Sequence, residues 1–244
     1  MLFATLSRKD NLKSITLPPS SGVETMASRL CPGKAELTSL NISGCRLTDP
    51  CVLQDIAMRW EKSLTHLRAR RIMLPSEALV HAAPHLRNLR LLDLSGCTTT
   101  GLCSSDVIAV TCFCPLLEAL LLEGCWRLDD PSIISISTSL VCLRVLDVGN
   151  IRNITDMSVA TLGRLHDLET LSICRPAVLP GQEDGVSEAS VLRILRGCGK
   201  LRELNASGVV LGTEVTALLC VKGVKLVPGP FPGIGTGAGI SIPG

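Results

Sequence analysis

Leucines recur through this chain in a fixed frame, and that frame restricts it to folds built by stacking one unit on the next. Leu37, Leu40, Ile42 and Cys45 stand at positions one, four, six and nine of a short stretch. The same positions carry Leu89, Leu92, Leu94 and Cys97, then Leu117, Leu120, Leu122 and Cys125. Weaker copies begin at Leu12 (Ile15, Leu17), Leu64 (Leu67, Ala69, Ile72), Leu143 (Leu146, Val148, Ile151), Leu168 (Leu171, Ile173, Pro176) and Leu201 (Leu204, Ala206, Val209). Successive starts lie 25, 27, 25, 28, 26, 25 and 33 residues apart, a spacing too regular for chance. The last and longest step contains Pro180 to Gly185, a turn-rich run that reads as a loop insertion.

Positions four and six of each copy fall on one face of a short strand and point inward. Position nine turns the chain inward again. A second apolar segment then follows, with spacing that suits a helix. Examples are Val52-Leu53-Ile56-Ala57, Val107-Ile108-Val110, Ile133-Ile134-Ile136 and Val191-Leu192-Ile194-Leu195. No single copy can bury its apolar side, so the copies must stack. The expected fold is an α/β right-handed solenoid, a horseshoe with a parallel sheet on its concave face and short helices on its convex face. Residues 1–227 form the solenoid of about eight repeats, and residues 228–244 form a separate Gly/Pro-rich tail.

Composition agrees with a layered aliphatic core: 46% of residues are hydrophobic, yet only 2% are aromatic and none is Tyr. A net charge of +2 is too small to make nucleic acid the expected partner. No apolar run approaches the ~18 residues of a membrane span; Leu116 to Leu122 is interrupted by Glu118.

Of the twelve cysteines, most follow the frame. Cys45, Cys97 and Cys125 share position nine, Cys114, Cys142 and Cys198 precede a repeat, and Cys51 and Cys103 lie six residues past a frame cysteine. A small apolar side chain with a weak S–H donor suits a tight buried turn. Buried reduced thiols are the preferred reading over a disulfide or a metal site. No C-x-x-C pair exists, and Cys112-Phe113-Cys114 has no companion at zinc spacing. Thiols of this kind suit an intracellular, reducing compartment, with the cytoplasm preferred and a mitochondrial or cytoskeletal assembly as the alternative. Met1 to Asp10 lacks the apolar stretch of a signal peptide. Arg8, Lys9 and Lys13 among Leu2, Phe3, Leu6 and Leu12 faintly match a mitochondrial presequence, but an incomplete first repeat is the preferred reading.

Gly44-Cys45-Arg46-Leu47-Thr48-Asp49 and Gly124-Cys125-Trp126-Arg127-Leu128-Asp129-Asp130 carry a further pattern. They resemble the G-C-x-x-[IL]-[TS]-D signature of cysteine-containing leucine-rich repeats. Asn153-Ile154-Thr155-Asp156 keeps its final part, and Cys114-Pro115-Leu116-Leu117 looks like the C-P-x-L that opens such repeats. The chain thus resembles F-box/LRR proteins and their relatives without an F-box, over about residues 12–220. The resemblance implies a protein-recognition solenoid, often the substrate-binding half of a ubiquitin-ligase receptor. The F-box itself has no room before Leu12. Thr or Asp before an apolar run also has a local reason, as a helix N-cap.

Side chains at positions three, five and seven point away from the core leucines. In stacking order they place His66, Arg68 and Arg70, with Arg71 nearby, beside an apolar and acidic group. That group comprises Leu91, Asp93, Leu121, Glu123, Val145 and Asp147. Apolar anchors ringed by charge make a protein-binding patch; a solvated sheet face with scattered charges is the alternative. Trp126 is either an exposed anchor or a plug over the solenoid edge, with the plug preferred.

No catalytic, cofactor or metal site is expected. His66, His81, His85 and His166 are spread over separate elements, and no Ser/His/Asp or Cys/His set converges in the frame. Gly233 to Gly239 lacks dinucleotide-loop spacing. Residues 228–244 hold four Pro, six Gly and no charge, which reads as a flexible tail. Docking of Phe231, Ile234, Ile240 and Ile242 into a neighbouring subunit is the alternative. The expected function is a non-catalytic protein-interaction module binding a protein partner by its concave face, as an adaptor in a ubiquitin-ligase pathway. A structural subunit of a large assembly is the rival.

Overall fold

The computed structural model describes residues 13–19, 22–23, 36–75, 77–97, 102–175 and 185–228. The segments 1–12 and 229–244, and most of the expected insertion from Pro180 to Gly185, lie outside the described residues. Each expected frame forms a three-residue strand at its positions three to five. These are β1 (Ser14–Thr16), β2 (Ser39–Asn41), β3 (His66–Arg68), β4 (Leu91–Asp93), β5 (Ala119–Leu121), β6 (Val145–Asp147), β7 (Thr170–Ser172) and β8 (Glu203–Asn205). A two-residue β9 (Lys225–Leu226), not expected from the frame, follows them. All nine pair in parallel and in chain order.

The register never slips. Leu40 pairs with Leu67, Leu67 with Leu92, Leu92 with Leu120, and so on to Leu204 and Leu226. Even the 33-residue step keeps Ser172 opposite Asn205. A one-residue slip would turn every leucine out of the core, so burial locks the pairing.

The helices are α1 (Pro50–Arg59), α2 (Ala78–Ala82), α3 (Ser104–Phe113), α4 (Asp130–Ser139), α5 (Asp156–Val159), α6 (Glu188–Gly197) and α7 (Thr213–Lys222). Short 3₁₀ turns, Ala83–His85 and Ala160–Arg164, extend α2 and α5. Their starts are written locally. Asp49 caps α1 by accepting from Cys51 N at 2.8 Å, with Pro50 in the first turn, and Ser187 caps α6 by accepting from Ala189 N at 3.2 Å. One core joins all the layers: Leu120, Leu146 and Leu171 from strands meet Ile133, Val159 and Val191 from helices. Every described helix contributes to it, so every one lies on the same side of the sheet.

Position eight explains the glycine of the G-C pair. Gly44, Gly96 and Gly124 stand at φ 70, 72 and 72°, the left-handed turn that lets the chain leave the strand. Asn150, which tolerates that conformation, takes the same place at φ 59°. The cysteine then donates to a carbonyl of the repeat before it: Cys45 Sγ to Pro18 O (3.5 Å), Cys97 Sγ to Ala69 O (3.3 Å) and Cys125 Sγ to Leu94 O (3.3 Å). Burial pushes the Cys97 and Cys114 thiols up to about 12 and the Cys198 thiol up to about 11. The eleven described cysteines are all free thiols. Cys51 and Cys142, expected inside, are exposed, as is Cys112. The helix faces also differ in detail. Ile108 is exposed and Ile134 and Leu192 are half-buried, while small polar residues such as Thr111, Ser132 and Ser137 turn inward. Their hydroxyls donate to carbonyls one turn back (Ile108 O, Asp129 O and Ile134 O), which makes the burial tolerable.

The candidate protein-binding face

The sheet face away from the helices is built from positions three, five and seven. Position five does a structural job first. Asn41, Asp93, Asp147 and Asn205 each accept through Oδ1 from the backbone N–H two residues on, at 3.0, 3.1, 2.9 and 3.1 Å. These Asx turns close the ends of β2, β4, β6 and β8. Sequence reasoning read the acids as partner contacts and missed this second role; its signal was the interchange of Asn and Asp at one frame position.

The strands bring together most of the expected site. His66 lies beside Leu91, and Leu91 beside Ala119, which in turn neighbours Val145. Arg68, Asp93, Leu121 and Asp147 form the adjacent row. Arg70 Nε approaches Asp93 Oδ2 at 3.7 Å, joining the basic group to the acidic one. Glu123 accepts weakly from Asn150 Nδ2 at 3.4 Å. Trp126 is not part of these rows. It follows the turn after β5, where its carbonyl accepts from Asn153 Nδ2 at 2.9 Å. The residue is 50% exposed.

Exposure departs from expectation. His66, Arg68, Arg70, Glu123 and Val145 are half-buried, but Leu91, Asp93, Leu121 and Asp147 are buried. Of the apolar anchors, Leu91 and Leu121 are therefore closed to solvent, and Val145 is partly open. Burial acts on the titrating groups accordingly. It raises the Asp93 carboxyl above its ordinary range and pushes Asp147 up to about 6, with Glu123 and Asp93 adding repulsion in the second case. Burial, helped by Arg68, lowers His66, whose Nδ1 lies 2.8 Å from Thr65 Oγ1. Position two adds a rim of cross-strand ion pairs: Arg90 with Glu118, and Arg144 with Glu169 at 2.7 Å. Among the described residues no three of His, Cys, Asp and Glu gather where they could hold a metal, and no helix is long and apolar enough to cross a membrane.

Two solved structures share this architecture. A chain of the yeast Rad7–Elc1 complex superimposes with a TM-score of 0.52 at 16% identity, over 81% of this chain and 56% of that one. An internalin, InlF of Listeria monocytogenes, does so with a TM-score of 0.59 at 16% identity, over 88% of this chain and 59% of that one. The fold is a leucine-rich-repeat solenoid. No family model and no curated protein sequence matches the chain. The solenoid spans little more than half of either similar structure, and identity this low speaks for the leucine-rich-repeat architecture alone.

Proposed function

We propose that this chain is a non-catalytic protein-binding module whose concave face recognises a protein partner, with residues 1–227 acting as one solenoid and 228–244 as its tail. The observation that carries this reading is the arrangement of charge on the sheet. The cations His66 (when protonated), Arg68 and Arg70 occupy β3 and its turn, while carboxylates follow on the next three repeats at Asp93, Glu123 and Asp147. Such a polarised face orients a partner and rejects one of the wrong charge pattern. Trp126, exposed at the end of the β5 turn, supplies an anchor of the type enriched at interfaces.

The finer reading is an adaptor in a ubiquitin-ligase pathway. It draws on the G-C-x-x-L-T-D resemblance and on the likeness to a chain crystallised in the Rad7–Elc1 complex. The test is affinity purification of the tagged full chain from its own cells, with Arg68→Glu and Trp126→Ala beside the unaltered chain. Partners lost with either substitution support the concave-face reading, and cullin-type components among them support the adaptor. A partner set unmoved by both substitutions sinks it.

One observation favours a structural subunit instead. Val210, Val221 and Leu226 are 88, 83 and 51% exposed toward the end of the described solenoid, where Leu211, Thr216, Ala217 and Cys220 line a hollow. A fixed stoichiometry that survives high salt and Arg68→Glu would establish that reading.

A further inference from the structure

Position eight of the frame demands a left-handed turn. Gly44, Gly96, Gly124 and Gly208 meet that demand at φ 70, 72, 72 and 88°, and Asn150 meets it at 59°. On the rung between Gly44 and Gly96 the residue is Arg71, at φ 50°, where an ordinary side chain crowds its own backbone. Backbone strain of this kind collects at functional sites.

A second arginine in the same row shows what a structural role there looks like. Arg175 is 7% exposed, and its guanidinium donates to the carbonyls of Ile151 and Arg152. Arg71 is exposed, and its guanidinium has no hydrogen bond or ion pair among the described residues. Its stem is nonetheless placed. A Cβ built on Gly96 would stand 2.8 Å from Arg71 Cγ, 3.8 Å from Cδ and 3.6 Å from Nε, so the stem lies across that glycine. Gly96, already a glycine for its own φ, seats the side chain at the strand-end rim of the concave face. On the next rung nothing lies within 4 Å of the same point on Gly124. Arg70 leans toward the same repeat, its Nε 3.7 Å from Asp93 Oδ2. Asp93 thus shares the charge of Arg70, whereas that of Arg71 is left whole. Met73, two residues on, is 49% exposed, and Arg46, also exposed, bridges to it from the rung before.

We infer that Arg71 is a partner-binding residue, which pairs through two parallel N–H···O bonds with an Asp or Glu carboxylate of the protein partner, while Met73 takes an apolar neighbour of that acid. The inference rests on the protein-binding reading above and narrows it to a partner whose contact segment is acidic at the β3 end. The guanidinium fork matches a carboxylate in both shape and charge. A stem already seated on Gly96 loses less freedom when the pair forms, so more of the attraction is kept as affinity. One whole positive charge suits one carboxylate. A dianionic phosphate would call for a second, and Arg70 is already shared with Asp93.

Panning of the full chain against random dodecapeptides displayed on phage tests this directly. Peptides that bind the unaltered chain should be enriched severalfold in Asp or Glu at one position, next to an apolar residue. Arg71→Gln, which keeps the stem over Gly96, should remove that enrichment, and Arg71→Lys, which keeps the charge without the fork, should leave only part of it. Arg71→Asn puts in this turn the residue that Asn150 supplies in another; it should lose the enrichment while raising the melting temperature by about 1–4 °C, as relief of strain requires. Selected pools with no acidic preference, or with one that Arg71→Gln leaves intact, overturn the inference, and so does an Arg71→Asn chain that melts lower than the parent. Synthetic copies of the selected peptides that bind severalfold tighter with phosphoserine in place of the acid overturn the carboxylate as ligand. Loss of the acidic preference leaves partner capture through Arg68 and Trp126 untouched, whereas capture unmoved by Arg68→Glu and Trp126→Ala removes the concave-face reading itself, so the two failures are told apart.

Discussion

Asp130 accepts two hydrogen bonds from Thr155, one from the backbone N–H and one from the hydroxyl, both at 2.8 Å. Asp130 opens α4, and Thr155 is the N-cap of α5 in the next repeat. The relationship recurs one step on, where Asp156 Oδ1 accepts from Ser187 N at 2.7 Å and Oδ2 from the Ser187 hydroxyl. The acid of the T-D step thus serves the following repeat as well as its own helix. Burial opposes ionisation of Asp130, but the bonds from Ser158 and Thr155 outweigh it and leave the carboxyl below its ordinary range.

Asp130→Ala is therefore expected to cost about 1–2 kcal/mol, the scale of a lost cap. Urea denaturation of Asp130→Ala, Thr155→Val and the double variant measures it. The two losses should overlap in part, since Thr155→Val removes the hydroxyl bond that Asp130→Ala also removes and leaves the backbone one; full additivity would show that the shared bond is not a source of either loss.

Asp147 carries the clearest pH dependence. Its carboxyl is pushed up to about 6 in the fold, from an ordinary 3.8, chiefly by burial. A raised carboxylate favours the protonated fold, so this group's penalty is absent below pH 4, grows between pH 4 and 6 and is complete above. At neutral pH the penalty is on the order of 2–3 kcal/mol. Asp147→Asn keeps an acceptor for Gly149 N, as Asn41 and Asn205 do for their own turns. Thermal melts should show the variant more stable than the parent at pH 7.5 and equal to it near pH 4. An advantage that did not shrink on acidification would contradict the assignment.

Gly163 and Gly197 touch backbone to backbone where α6 crosses the preceding 3₁₀ turn. A Cβ on Gly197 would stand 2.0 Å from Gly163 O, and one on Gly163 would stand 2.8 Å from Arg193 O. Gly197→Ala should destabilise by about 1–3 kcal/mol through this overpacking, despite the better helix propensity of Ala. Gly199→Ala, with nothing within 4 Å, is the matched control and should move the melting temperature little.

Thiol labelling separates the cysteine classes. Cys51, Cys112, Cys142 and Cys220 should react with Ellman's reagent in the native protein; Cys45, Cys97, Cys114, Cys125 and Cys198 should react only on unfolding. Fast native labelling of Cys97 or Cys125 would show that the strand-end turns open.

The frame was legible because each core layer repeats the same leucine positions, and parallel pairing turns that repetition into register. The G-C pair was legible for a similar reason: one residue must take a positive φ and the next must fill a buried turn. The burial of Leu91 and Leu121 was not. Alternation along a three-residue strand says which side faces the helices, but nothing in it says whether the other side is covered. Ile108 was misplaced because α3 carries apolar residues on all sides, Phe113 included, so periodicity there has no preferred face. β9 escaped because a strand of two residues, Lys225 and Leu226, carries only one frame leucine.

The unbroken register separates distance along the chain from distance in space. Arg68 and Asp147 are 79 residues apart in sequence, but they stand three strands apart on the sheet, roughly 14 Å. The 33-residue step advances the ladder by the same single rung as a 25-residue one. Loops on the rim can lengthen or shorten without moving one contact residue relative to another, so the spacing a partner meets is counted in rungs and not in residues.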